Sequence, residues 1–214
     1  MPGALATRRR GPRLVPQADL QIGIVVFPAV EELDFVGPWE VFAGLFHANG
    51  GGRVQLIAEA PGPVSCAKGL RVLPDCGFAD APDLDVLLVP GGQGTRAEVS
   101  NPAMIDYLRA AGAQARWVTS VCTGALLLHE AGFARGKRVT THWGFVDALR
   151  ARGDVEVLDG PRFVRDGNLV TAAGVSAGID MALWLVGQLF TPGVARQVQR
   201  YIQYEPAPPY SAEV

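Results

Sequence analysis

The chain has 214 residues, of which 49% are hydrophobic and 19% are charged, and its formal net charge at pH 7 is −2. This length and composition predict a single compact domain with a full hydrophobic core. The small negative charge gives no electrostatic reason to expect a nucleic acid or an anionic membrane as partner, and no apolar run is long enough for a transmembrane helix.

The three cysteines, Cys66, Cys76 and Cys122, are an odd number in a chain too large to depend on disulfide bonds. We therefore expect free thiols and a cytoplasmic location rather than a Cys66–Cys76 disulfide. Residues 1–19 are rich in Arg and Pro, and their arginine triplet suggests an export signal, but no hydrophobic segment follows it. The sequence predicts a disordered tail at 1–19 and one domain at 20–214.

Apolar strands and amphipathic helices alternate along the domain. In chain order, the predicted elements are a strand at 20–27, a helix at 33–48, strands at 54–59 and 85–89, a helix at 102–112, a strand at 117–121, a helix at 123–132, a strand at 138–141, a helix at 144–152, a hairpin at 162–173, and helices at 176–189 and 194–203. Since Gly37-Pro38 interrupts the first helical pattern, we expect that helix to begin near Pro38, and we expect Ser176 to cap a later one.

This alternation predicts an α/β fold with a mainly parallel sheet that is covered by helices on both faces. In such sheets, functional sites form at the carboxyl ends of the strands. Four segments with suggestive residues fall there, at 27–34, 90–95, 120–124 and 141–143. Their convergence favours a functional site at this edge.

Cys122 lies between a predicted strand at 117–121 and a helical segment that starts at Thr123. This is the placement of a nucleophile elbow, with Cys in place of the more usual Ser. The N–H groups at a helix N-terminus favour thiolate over thiol. Cys122 is therefore either a nucleophile or a buried, inert thiol at a strand end, and the convergence at the sheet edge favours the nucleophile.

Asp34, in the segment EELDFVG, follows the first strand between apolar neighbours. It is either a desolvated carboxyl group that shares a proton with a nearby thiol or the N-cap of a helix that starts near Gly37. The turn PGGQGT at 90–95 is not followed by the Lys of a phosphate-binding loop, so we expect it to present backbone N–H groups to developing negative charge. Gly92 is the preferred donor, together with the N–H of Thr123.

His142 ends a predicted strand at the same edge and either acts as a base toward Cys122 or binds backbone. His47 and His129 lie on predicted helices, where surface or packing roles are expected. No His, Cys or Asp cluster has the spacing of metal ligands, so we expect no metal.

Several segments together are similar to the ThiJ/PfpI superfamily and, within it, to the isonitrile hydratase group. The segments are IGIVVFPAVEELDFVGPWEVF, DVLLVPGGQGT, VTSVCTGALLL, GKRVTTHW, VRDGNLVTAAGVSAGID and QYEPAPPY. The resemblance runs over residues 20–210 and implies a flavodoxin-like three-layer α/β/α sandwich with a nucleophile elbow. It also implies a homodimer, a small-molecule substrate, and no metal or organic cofactor.

The resemblance implies a hydro-lyase that converts isonitriles to N-substituted formamides. Cys122 would form a thioimidate with the isonitrile carbon, Asp34 would act as general acid, and Thr123 would hold developing charge or water. The residues expected to bind the substrate or its developing negative charge are Gly91, Gly92, His142, Trp143 and Val175. Peptidase and glyoxalase members of the superfamily carry His directly after the nucleophile, so Thr123 at that position counts against their chemistry.

Two other functions stay open. Related domains form the sensor half of AraC-type regulators. We expect no DNA-binding module in the short segment that follows PAPPY. One alternative is therefore a ligand or redox sensor that uses Cys122. A glyoxalase or cysteine hydrolase of the same superfamily is the other.

Overall fold

A computed structural model of the protein describes residues 20–49 and 51–206, so the predicted tail at 1–19 lies outside the described residues. The strands are β1 (Gln21–Val25), β2 (Arg53–Ala58), β3 (Val64–Ser65), β4 (Arg71–Val72), β5 (Cys76–Gly77), β6 (Val86–Val89), β7 (Trp117–Val121), β8 (Arg138–Val139), β9 (Glu156–Val157), β10 (Phe163–Asp166) and β11 (Leu169–Ala172). The α-helices are α1 (Glu32–Asn49), α2 (Thr95–Glu98), α3 (Pro102–Gln114), α4 (Gly124–Glu130), α5 (Val146–Arg150), α6 (Ala177–Leu189) and α7 (Pro192–Tyr201). Short 3₁₀ helices occur at Phe78–Asp80 and Trp143–Phe145.

The central sheet has the strand order β10-β11-β7-β6-β1-β2-β5, and every neighbouring pair except β10 and β11 is parallel. Every residue of β6 and β7 is buried, as expected for central strands covered on both faces. Helices α1, α6 and α7 pack against one another, and α4 contacts α2 and α3. The predicted α/β fold with a mainly parallel sheet between helical layers is confirmed.

Helix α1 begins at Glu32, so the prediction that it starts near Pro38 is wrong. Pro38 lies in the second turn, where its missing N–H leaves only the carbonyl of Asp34 without a helical donor. Gly37 is buried beside α6, and a Cβ atom there would lie 2.8 Å from Cγ1 of Ile179. The Gly-Pro pair therefore serves the close packing of α1 on α6, and the early start of the helix places Asp34 in its first turn.

Side chains cap some helices where the sequence signals are strong. Asn101 accepts a hydrogen bond from the N–H of Ala103 at 3.0 Å at the start of α3, and Thr191 caps α7 in the same way. Ser176 precedes α6, but its backbone is helical and its hydroxyl caps no N–H group, contrary to prediction. That hydroxyl accepts a hydrogen bond from Arg162 at 3.2 Å instead.

Candidate active site

The nucleophile elbow forms at the carboxyl end of β7. Cys122 has a φ of 56°, a strained conformation for a residue with a side chain, so the surrounding structure must hold it in place. Its N–H donates to the carbonyl of Ala172 at 3.0 Å, and the hydroxyl of Thr141 donates to its carbonyl at 2.8 Å. Both backbone groups of Cys122 are thus bound by neighbouring segments, and the predicted elbow is confirmed.

Asp34 projects from the first turn of α1 and is fully buried. Its Oδ2 accepts a hydrogen bond from the N–H of Gly91 at 2.9 Å, whereas Oδ1 has no hydrogen-bond partner among residues 20–49 and 51–206. The thiol of Cys122 interacts with this carboxyl group. Asp34 is therefore not an N-cap: it is a buried acid held beside the cysteine.

Burial raises the pKa of Asp34 from 3.8 to about 7, and the charge of Glu31 adds to this effect, while the N–H of Gly91 opposes it. Burial, followed by the negative charge of Asp34, raises the pKa of Cys122 to about 12, although the N–H of Thr123 works in the opposite direction. Desolvation and the charge of Asp34 therefore work against the thiolate that the elbow was expected to favour, and α4 begins only at Gly124. The acid and the thiol therefore hold two protons between them below about pH 7 and one proton above it.

The turn at Gly91 and Gly92 brings the acid and the elbow together. A Cβ atom on Gly91 would lie 2.5 Å from the backbone nitrogen of Thr123, so only glycine fits there. Gly92 has a φ of 127°, which also requires glycine. The N–H of Gly92 is not free, contrary to its predicted role as a charge donor, because it donates to Oγ1 of Thr123 at 3.0 Å. Thr95 also lies 3.1 Å from that hydroxyl, so Thr123 is fixed on two sides.

Cys122 opens into a cavity of about 180 Å³. Of the residues predicted for the site, the cavity wall contains Gly92, Cys122, Thr123, His142 and Val175. Asp34 and Gly91 are not part of this wall. Asp34 contacts Cys122, which is part of it, and Gly91 binds Asp34.

His142 binds backbone in this structure. Its Nδ1 accepts a hydrogen bond from the N–H of Gly144 at 3.2 Å and so caps the 3₁₀ helix, the second of the two roles predicted for it. Trp143 was expected to bind the substrate, but it is 80% exposed and does not line the Cys122 cavity. It lines a neighbouring cavity of about 360 Å³ instead.

Sequence reasoning missed four further residues of the cavity wall. They are Glu31, Gln93, Arg96 and Phe145. Arg96 donates to the carbonyl of Gly92 at 2.9 Å, and its guanidinium lies 4.4 Å from the ring centre of Phe145. Glu31 pairs with Lys68. The sequence offered one signal for Glu31 and Arg96, which is that they lie close to the DFVG segment and the PGGQGT turn. That signal is weak, because charged residues beside a turn are usually solvated.

Residues 21–188 match the sequence profile of the DJ-1/PfpI family, which is more than half of the chain. The chain belongs to the DJ-1/PfpI family. It is 45% identical over 193 residues to an isonitrile hydratase from Pseudomonas putida, and the match covers 90% of this chain and 82% of that relative. It superposes on a crystal structure of a ThiJ/PfpI family protein from Pseudomonas syringae with a TM-score of 0.85 and 35% identity, covering 97% of this chain and 87% of the other.

A further DJ-1/PfpI relative is a regulator. The HTH-type transcriptional regulator CdhR from Pseudomonas aeruginosa is 30% identical over 176 residues, and the match covers 81% of this chain but only 52% of the regulator. Together these relatives confirm the predicted superfamily and the flavodoxin-like fold, and they indicate an enzyme within a family of varied function.

The described residues of this DJ-1/PfpI protein contain neither a membrane-spanning helix nor a cluster of metal ligands. Within that part of the chain, none of the helices combines the length and apolar character that crossing a membrane requires. No three His, Cys, Asp or Glu side chains of the same residues are grouped so as to hold a metal ion. Cys66, Cys76 and Cys122 are free thiols.

Proposed function

We propose that this protein is an isonitrile hydratase-like lyase, which adds water to R–N≡C to give the N-substituted formamide. The observation that carries the proposal is the buried pair of Asp34 and Cys122, in which the thiol interacts with the carboxyl group that Gly91 holds through its N–H. The 45% identity to an isonitrile hydratase over 90% of the chain supports the same chemistry. No metal or organic cofactor is needed for it.

The first half of the reaction uses the one proton that the pair holds. Asp34 takes the thiol proton as Sγ of Cys122 attacks the terminal isonitrile carbon, and it then delivers that proton to the same carbon. One C–S bond and one C–H bond form, and the product is a thioimidate, R–N=CH–S–Cys122. Because Asp34 has a pKa of about 7, it can both accept and donate this proton near neutral pH.

The second half consumes water. A water molecule adds across the C=N bond: the carbon gains hydroxyl and the nitrogen gains the proton. Collapse of this adduct breaks the C–S bond, releases R–NH–CHO, and returns the hydroxyl proton to the pair of Asp34 and Cys122. The Thr123 N–H lies at the elbow, where it can stabilise negative charge on sulfur.

The remaining site residues hold this arrangement. Gly91 anchors the carboxyl group of Asp34 through its N–H, and Gly92 anchors the hydroxyl of Thr123. His142 and Val175 line the space beside the thiol and limit which substituents fit.

The test is formamide production from para-nitrophenyl isocyanide by the purified protein. Cys122→Ala should abolish turnover, and Asp34→Asn should lower kcat by about 10²–10⁴, the usual contribution of general acid–base catalysis. Cys76→Ser is the matched control, because Cys76 is a half-buried free thiol outside the cavity, and it should keep wild-type turnover. Full activity of Cys122→Ala would exclude the mechanism.

The alternative functions are separated by other substrates. Consumption of methylglyoxal without hydration of any isonitrile would favour the glyoxalase alternative, against which Thr123 argues. Rapid oxidation of Cys122 to sulfinic acid by peroxide, in a protein without turnover, would favour a sensor. The high pKa of the buried thiol predicts slow oxidation instead.

A further inference from the structure

The cavity of about 360 Å³ beside the Cys122 cavity is not used by the chemistry proposed above. The two cavities share His142 and Val175 as a common wall. The Cys122 cavity, at about 180 Å³, is smaller than the roughly 300–1,000 Å³ usual for ligand pockets, whereas the two together reach that range. A substrate that reacts at Cys122 and extends past His142 would therefore enter the second cavity.

The polar side chains of the second cavity are largely engaged. Arg162 donates to Asp180 and, at 3.2 Å, to Ser176, so its charge is already paired. The hydroxyl of Thr141 donates to the carbonyl of Cys122. Asp159 is exposed to solvent. A ligand in this cavity would therefore find Arg162 and Thr141 already engaged, and Asp159 on the solvent side.

The apolar wall of the second cavity includes one aromatic ring, that of Trp143. Trp143 is 80% exposed, the most exposed large hydrophobic side chain among the described residues, and its ring centre lies 5.4 Å from that of His142. Pro161 and Ala173 complete the apolar wall. An indole face open to solvent beside a reactive site can stack on a planar group, which would cover apolar area that is now exposed to water.

We propose that the second cavity is a subsite for the N-substituent of the isonitrile, that it takes an aromatic ring, and that Trp143 determines this specificity by stacking. The inference rests on the proposed function for the identity of the substrate, but the subsite is defined by its own walls. A free isonitrile is linear at R–N≡C, so when its carbon faces Sγ of Cys122 the substituent R points away from the thiol and can extend toward the cavity that shares His142 and Val175.

The subsite can be tested by comparing kcat/KM for an aryl and a methyl isocyanide. We expect Trp143→Ala to lower the ratio of kcat/KM for para-nitrophenyl isocyanide over that for methyl isocyanide by about tenfold, through a higher KM for the aryl substrate. Trp143→Phe should restore most of the ratio because it restores an aromatic face. Tyr201→Ala is the matched control, since Tyr201 is 59% exposed on α7 and lies outside both cavities. An unchanged ratio in Trp143→Ala would overturn the proposal.

A binding experiment tests the subsite independently of the proposed hydratase reaction. Calorimetry measures the affinity of N-phenylformamide for the Cys122→Ala protein with and without Trp143→Ala, and we expect about tenfold weaker binding without the indole. If the wild type hydrates no isonitrile but this difference appears, the hydratase proposal fails and the aromatic subsite stands. Equal affinities, or a changed molecular mass of Trp143→Ala in light scattering, would instead show that the indole serves another purpose, such as subunit contact.

Discussion

The pairing of Asp34 with Cys122 makes the state of a single proton the central property of the site. The pair is reactive when it holds one proton, because the carboxylate can then remove the thiol proton. Below a pH of about 7 it holds two, since burial raises the pKa of Asp34 to about 7. The pair loses its last proton only far above neutral pH, because the pKa of Cys122 is about 12.

The pH profile of the wild type should follow from this. We expect kcat/KM for para-nitrophenyl isocyanide to rise about tenfold per pH unit below about pH 7 and then to level off. Asp34→Asn should lose this rise together with most of its activity. Stopped-flow or steady-state rates between pH 5 and pH 9 measure both, and an acidic limb that survives in Asp34→Asn would assign it to another group.

The same carboxyl group should weaken the fold at high pH. Its folded pKa is raised from 3.8 to about 7, so its contribution to stability is fully present below pH 4 and is lost as the pH rises through 7. The full loss is about 4 kcal/mol, because the shift is about three pKa units at about 1.4 kcal/mol per unit. Urea unfolding at pH 5 and pH 8 should show a larger drop for the wild type than for Asp34→Asn, and parallel drops would contradict the buried ionisation.

Among the elements, the turn between β6 and α2 has the tightest packing at the site. A Cβ atom on Gly92 would lie 2.4 Å from the backbone nitrogen of Glu31, in addition to the strain of its φ of 127°. Gly62 has a comparable φ of 148°, but nothing lies within 4 Å of its Cβ position. The two glycines therefore separate the effect of conformational strain from that of steric contact.

We expect Gly92→Ala to destabilise the protein by more than the ~1–3 kcal/mol of backbone strain alone and to lower kcat, because the turn must shift away from α1 and Thr123. Gly62→Ala should cost only the strain. Thermal unfolding and isocyanide turnover of both variants check this. Equal losses of stability would mean that the contact with Glu31 is relieved without cost.

Periodicity and composition were sufficient to predict the longer strands and helices, such as β6 and β7, which are apolar and bounded by turn residues, but they missed the short elements β3, β5, β9 and α2. They also predicted that Asp34, the PGG turn and Cys122 lie at the same edge of the sheet. They failed at the start of α1, where packing against α6 tolerates Pro38 inside the helix. They also failed for the N–H of Gly92 and the thiolate, since hydrogen-bond partners and desolvation depend on distances that no sequence pattern contains.

At the scale of the whole molecule, α1 carries an apolar stripe that no described element covers. Leu33, Val36 and Trp39 are each 38–39% exposed and lie three residues apart, on one side of the helix. An exposed apolar stripe of this kind is typical of an interaction surface. The homodimer that the family resemblance implies remains a prediction, and this face is where we expect it.

The dimer prediction has a direct test. Val36→Asp should shift the mass in light scattering from dimer toward monomer, because a charge would be buried in the contact. Glu40→Gln, an exposed change on the same helix, is the control and should leave the mass unchanged. A monomeric wild type, or a Val36→Asp dimer as stable as the wild type, would show that this face is not the interface.

The buried thiol has a consequence for chemical selectivity. Reagents such as haloacetamides need a thiolate that already exists, and a pKa of about 12 leaves almost none at neutral pH. An isonitrile differs, because its carbon takes up a proton as the sulfur attacks, and the neighbouring acid can supply it. Cys122 would thus be nearly inert toward such reagents while remaining reactive toward the few electrophiles whose attacked atom must itself be protonated.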